Sequence, residues 1–193
     1  MTSLRDVAEL IDGLNERIGR TVAWLTLCMV LLQFVVVVMR YVFGIGSVIM
    51  QEAIVYMHAS IFLVGAAYTL LHNGHVRCDI FYSDASPRTR AIVDLIGVFL
   101  FLLPMCVMIF WVSWPYVVNA WAVLEGSPEG RLGIPGVFLL NSVILVFAAL
   151  LGLQALSMAI HASLRLAGLE GLGDLDDFAE DIAKSTDDEG AGS

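Results

Sequence analysis

Charge is scarce in this 193-residue chain: Asp, Glu, Lys and Arg make up 15% of it, where an ordinary soluble domain has about 25%. That shortage excludes a soluble fold of this size, because so small a core cannot hide an apolar fraction of 59%. Basic residues are scarcer still. Ten Lys plus Arg stand against nineteen Asp plus Glu, a formal charge of −9, which argues against nucleic acid as a partner. Cysteine is limited to Cys28, Cys78 and Cys106, at no metal-ligand or redox spacing, so neither a zinc site nor a disulfide framework is implied. Also missing are a Ser/His/Asp arrangement, a phosphate loop and paired carboxylates, so the chain does not read as an enzyme.

The acidity is local. Residues 170–193 carry nine acids and one base and hold −8 of the charge, leaving −1 for residues 1–169. In this tail Leu172, Leu175, Phe178 and Ile182 have loosely helical spacing, but Asp, Glu, Gly and Ser dominate, and the expectation is a disordered acidic cytoplasmic tail over 166–193.

Long uncharged runs are what the chain does have. Thr21 to Met39 contains no charge and is bracketed by Arg20 and Arg40. At about 1.5 Å per residue it matches a hydrocarbon core of about 30 Å. It is too long for a signal-peptide core, follows twenty residues, and has no small-residue cleavage pattern after it, so it reads as a retained span. Further spans are expected over about 48–71, 91–114 and 136–160, which makes 21–165 an all-α, four-helix transmembrane domain. Ser86-Pro87 forms a cap and first helical position for the third span, and Pro104 is expected to kink it. Gly44 and Gly46 suit a tight turn between the first two spans.

Lys and Arg beside the spans set the expected orientation. Arg5, Arg17, Arg20, Arg77, Arg88, Arg90, Arg165 and Lys184 fall on one side, Arg40 and Arg131 on the other, which places both termini in the cytoplasm. Trp111, Trp114, Tyr116 and Trp121 then form an aromatic belt at the outer end of the third span. Over residues 1–20, Leu4, Val7, Ile11, Leu14 and Ile18 recur at three- and four-residue steps among charges. This is an amphipathic helix, expected either on the inner membrane surface or a partner, or as a solvated lead-in to the first span.

Polar groups within spans mark where helices meet protein. Thr26, Gln33 and Arg40 are spaced by seven, as are Gln51, His58, Gly65 and His72, so each of the first two helices carries a seam suited to interhelical hydrogen bonds. Gln154, Ser157 and His161 share a face of the fourth. The acids within spans are Glu52, level with Arg40 and expected to pair with it, and Asp94, four residues after Arg90. Two sharper readings compete: Glu52 as the proton or cation site of a self-sufficient small transporter, and His58 with His72 or His161 as haem ligands of a membrane anchor. The second needs imidazoles at matching depth, and His58 is mid-span while the others lie at the inner edge.

The inner loop reads Asn73-Gly74-His75-Val76-Arg77-Cys78-Asp79-Ile80, followed by Ser86-Pro87-Arg88-Thr89-Arg90. With Arg40-Tyr41-Val42-Phe43, Gln51-Glu52 and Glu125-Gly126-Ser127-Pro128-Glu129, the pattern over about residues 15–165 resembles the small membrane subunit, DctQ type, of tripartite ATP-independent periplasmic (TRAP) transporters. It departs from that family where Gln51 replaces a frequent second acid and Asn141 a frequent base. The resemblance implies a three-part importer in the bacterial inner membrane. A periplasmic binding protein delivers an organic acid, a large subunit carries it with sodium, and the small subunit holds the large one and helps to form the docking surface. It implies no cofactor in this chain, since sodium coupling belongs to the large subunit. It also implies binding-protein docking on the loop from Pro115 to Gly133, at Glu125, Ser127, Pro128, Glu129 and Arg131. His75, Arg77 and Asp79 are then expected to tie the inner loop to helix ends or to lipid phosphate.

Overall fold

A computed structural model describes residues 2–72, 74 and 86–167. Asn73, His75, Arg77 and Asp79 of the inner-loop motif, and residues 168–193 of the acidic tail, lie outside the described residues. Gly74 is described, its N–H donating to the Thr69 carbonyl at 2.8 Å.

Five α-helices follow in order: α1 (Thr2–Val42), α2 (Val48–Leu71), α3 (Pro87–Gly97), α4 (Leu103–Ala122) and α5 (Val137–Leu166). A π turn, Val98–Leu102, joins α3 to α4 as one continuous rod, so four helical rods are long and apolar enough to cross a membrane. The protein is an all-α integral membrane protein. We call the end where α1 starts and α5 stops the base, and the opposite end the crown.

The amphipathic segment and the first span, expected as separate pieces, form a single helix. At 41 residues α1 is about 60 Å long, twice a hydrocarbon core, so its first turns project beyond the apolar stretch. Its packed face shares only Ile11, and in part Ile18, with the apolar stripe. Leu4, Val7 and Leu14 stay exposed, whereas Ala8, Ile11, Asn15 and Gly19 are buried. Small residues win because they let the helices approach closely: a Cβ on Gly19 would overlap the Tyr68 ring of α2.

Pro104 acts through its missing N–H. It cannot bond back four residues, and the chain answers with the π turn immediately before it, in which the Leu103 N–H reaches the Val98 carbonyl. Pro115, expected to open the outer loop, instead lies inside α4, which continues to Ala122. The α4 end is a left-handed cap: Leu124 has φ 46°, and the Glu125 N–H returns to the Ala120 carbonyl at 2.9 Å. At the α1 end Gly44 (φ 68°) plays the same part, with the Ile45 N–H on the Met39 carbonyl. The Ser47 hydroxyl then accepts from the Met50 N–H and caps α2.

α5 is the centre. It packs against α1 and α2 on one side and against α3 and α4 on the other. Ala155 and Ala159 of α5 bury against Val98, with Leu102, Leu103 and Met158 around them. By contrast, no residue in the most apolar window of α1 is buried, although α1 runs the full length of α2. The outer surfaces of α1 and α4 are therefore open.

Candidate functional site

Three polar constellations organise the bundle, one at each end and one along its face. At the crown, Glu52 sits just past the first turn of α2, where its side chain reaches the loop between α4 and α5. Its Oε1 accepts from the Ser127 hydroxyl, and its Oε2 accepts from the Ile134 N–H at 2.6 Å. The same Ser127 oxygen accepts from the Glu129 N–H at 3.0 Å, so one carboxylate and one hydroxyl hold both halves of the loop. Gly133 passes so close that a Cβ there would overlap Ser127 and lie 2.6 Å from Glu52 Oε1. Beside this clamp, Asn141 of α5 donates to Glu125 at 3.0 Å, and Trp121 Nε1 donates to the Ser142 hydroxyl at 2.8 Å with its ring edge-on to Phe138.

The five loop residues expected to dock a partner thus divide. Glu125 and Ser127 face inward and hold the loop, while Pro128, Glu129 and Arg131 form its exposed crest. The expected ion pair of Arg40 with Glu52 does not form. Successive residues on a helix point about 100° apart. It is Gln51 that faces the α1 side, lining a groove with Arg40, while Glu52 turns to the loop.

At the base, Asp12 of α1 gathers three residues of α5. Its Oδ1 accepts from Gln154 Nε2 at 2.9 Å and from the Ser157 hydroxyl at 2.6 Å; its Oδ2 accepts from His161 Nε2 at 3.1 Å. Asn15 donates to Gln154 Oε1 at 2.6 Å, and both side chains are buried. Glu16, one turn on, bonds His72 just past the end of α2, so this cluster lies beyond the apolar part of α1. Burial works to raise the Asp12 pKa, and the bonds from His161, Ser157 and Gln154 outweigh it, so the carboxyl stays below its ordinary value. Asp94 lines a cavity of about 270 Å³ here with Arg5, Asp12, His161 and Arg165.

The shared face of Gln154, Ser157 and His161 was legible in their spacing; Asp12 and Asn15, which receive it, were not singled out. Their signal is the step Ala8, Asp12, Asn15, Gly19, a small and polar stripe beside the more conspicuous leucines. Gly133 and the Ile134 N–H were likewise missed, and a backbone donor has no side-chain signature.

The third constellation is the pair of seven-residue seams. Thr26 and Gly65 line one groove between α1 and α2, of about 290 Å³. Gln33, Arg40 and Gln51 line a second, of about 390 Å³. His58 lies between them on α2, its ring 4.5 Å from that of Phe62. Thr26, Gln33, Arg40, Gln51 and His58 are all exposed, and none has a side-chain hydrogen bond among the described residues. Of the second seam, His72 does bond across to α1, at Glu16, but the remaining seam residues do not bond to each other within this chain. They open outward together. As for a haem pair, His72 and His161 are engaged by Glu16 and Asp12, and His58 stands apart from both.

Comparison with curated proteins and with solved structures returned no match. A family model does match residues 29–165: tripartite ATP-independent periplasmic transporters, DctQ component. The matched stretch runs from the apolar part of α1 to the last turn of α5, so it takes in the crown clamp and, Thr26 apart, the two seams, and the chain belongs to this DctQ family of TRAP transporter membrane components.

Proposed function

We propose that this chain is the non-catalytic scaffold of a TRAP-type importer of organic acids in the bacterial inner membrane. It holds the large sodium-coupled subunit, and its crown faces the periplasm to help dock the binding protein. Both termini then lie in the cytoplasm, as the excess of Lys and Arg that the sequence places on that side of the spans favours. The observation that carries this reading is the use of Glu52. The one carboxylate near the crown end of the spans that was a candidate carrier accepts two hydrogen bonds that shape the loop, which leaves it as a structural group. A loop held at both halves presents Pro128, Glu129 and Arg131 in one arrangement, and a preorganised surface loses less entropy when a partner docks.

The test is reconstitution. Vesicles holding this chain with its large subunit should take up substrate when the binding protein and a sodium gradient are supplied. Vesicles holding this chain alone should take up none. Uptake by the chain alone would overturn the scaffold reading in favour of a self-sufficient transporter, and a haem absorption band in the purified chain would overturn it in favour of a redox anchor.

A further inference from the structure

The face formed by the two seams has a definite chemistry. Because α1 and α2 run antiparallel, Thr26 falls level with Gly65, Gln33 with His58 and Arg40 with Gln51. The result is a ladder: small near the base, neutral and hydrogen-bonding at mid-depth, cationic near the crown. All of it is uncovered in this chain.

Lipid does not suit this ladder. Gln33 and His58 carry donors and acceptors at mid-depth in the bilayer, where no water offers a partner, and intramembrane polar groups of this kind face protein. A second copy of the chain does not suit it either. Two copies related by an axis along the membrane normal would bring Arg40 to the same depth on both sides, and the nearest acid to it in sequence, Glu52, is already held by Ser127 and Ile134. Like charges at one depth repel, so the face calls for a different chain.

We infer that the α1–α2 face is the docking site for a transmembrane helix of the large subunit, one that carries a carboxylate opposite Arg40 and hydrogen-bonding side chains opposite Gln33 and His58. The grooves take its side chains, and Ala23 and Gly65 let its backbone approach. The inference rests on the scaffold reading above and specifies the surface and the charge that it uses. The exposed α4 surface around Trp111, by contrast, is apolar from Met105 to Val112 and suits lipid.

Cross-linking tests this in the assembled complex. With Cys28, Cys78 and Cys106 replaced by serine or alanine, single cysteines at Gln33 and His58 should cross-link to the large subunit, and cysteines at Val107 and Trp111 should not. Arg40→Glu should reduce the large subunit recovered with the chain by about tenfold or more, a loss of about 1.4 kcal/mol. An acid-to-Arg substitution in the cross-linked helix should restore it. Cross-links from α4 without any from α1 and α2 would overturn the inference while leaving the scaffold reading intact. Full recovery with Arg40→Glu would overturn the carboxylate assignment. If the unmodified chain recovers no large subunit at all, both readings fall.

Discussion

Replacing Glu52 with alanine is expected to lower the melting temperature of the purified chain by roughly 4–24 °C and to open residues 123–136 to protease. The carboxylate is the shared acceptor of a hydroxyl and a backbone N–H that come from the two halves of one loop. Removing it leaves two donors without their partner, and each such loss costs about 1–3 kcal/mol when the group cannot reach water. At about 2–4 °C per kcal/mol for a chain of this length, the two losses give the stated shift. Glu52→Gln should fall between. Its remaining oxygen satisfies one donor, while its amide nitrogen meets the other as a second donor; the serine can rotate to accept, and the Ile134 N–H cannot. Gly133→Ala should give a similarly opened loop by a different route, since its methyl needs the space that Ser127 and Glu52 occupy. Thermal unfolding in detergent and timed proteolysis measure both variants. A Glu52→Ala chain that melts and is cleaved like the parent would show that the clamp does not hold the loop.

Asp12→Leu is the second large effect, expected to destabilise the chain by about 3–5 kcal/mol through three donors left facing an apolar side chain. Gln154, Ser157 and His161 all present donors to this one carboxylate, and Asn15 is held in turn by Gln154. The first twenty residues of α1 depend heavily on these bonds, because Leu4, Val7 and Leu14 stay exposed and Ile11 is the one member of the stripe that is buried. Protease should therefore remove that segment from Asp12→Leu well before it cuts the parent. Asp12→Asn should be much milder, since its oxygen still accepts from Gln154 or Ser157 and a neutral His161 can turn its lone pair to the new amide. The pH dependence has a definite sign. The folded-state pKa of Asp12 is lowered, so its contribution is complete above the ordinary carboxyl value of about 3.9 and is lost as pH falls through the lower folded value. The melting temperature of the parent should thus exceed that of Asp12→Asn by a constant margin near neutral pH, and the margin should narrow only in acid, as the Asp12 carboxylate takes up a proton.

Much of this architecture was legible beforehand, and the reasons are particular. The apolar runs announce helices because a backbone in hydrocarbon has to satisfy its own hydrogen bonds, and α2 and α5 need no other argument. The Ser86-Pro87 start is readable because a cap and its helix lie within three residues of each other. The seven-residue steps of Thr26, Gln33 and Arg40, and of Gln51, His58, Gly65 and His72, are readable as faces because helical periodicity is local. What those faces meet is not local. Expecting Arg40 to neutralise Glu52 used depth alone, and depth does not say which way round α2 a residue points. The loop won because it offers Glu52 two well-placed donors, one of them 75 residues away and the other a backbone group.

The base shows the same division. Leu4, Val7 and Leu14 form the more visible stripe, yet the face that packs is Ala8, Ile11, Asn15 and Gly19, because close approach rewards small side chains and Asp12 supplies an acceptor that α5 needs. By itself the sequence determined that the chain is an all-α membrane protein, how many spans it has, where its acidity lies and which family its motifs resemble; all of these follow from composition and short-range period. Only the tertiary structure decided that Glu52 and Asp12 are fasteners, that Pro104 is absorbed by a π turn, and that the two polar seams open to the outside. The fasteners and the open seams depend on how one helix is rotated against another, and rotation is set by the sum of many contacts between residues far apart in the chain; the π turn is the backbone's own answer to a missing N–H.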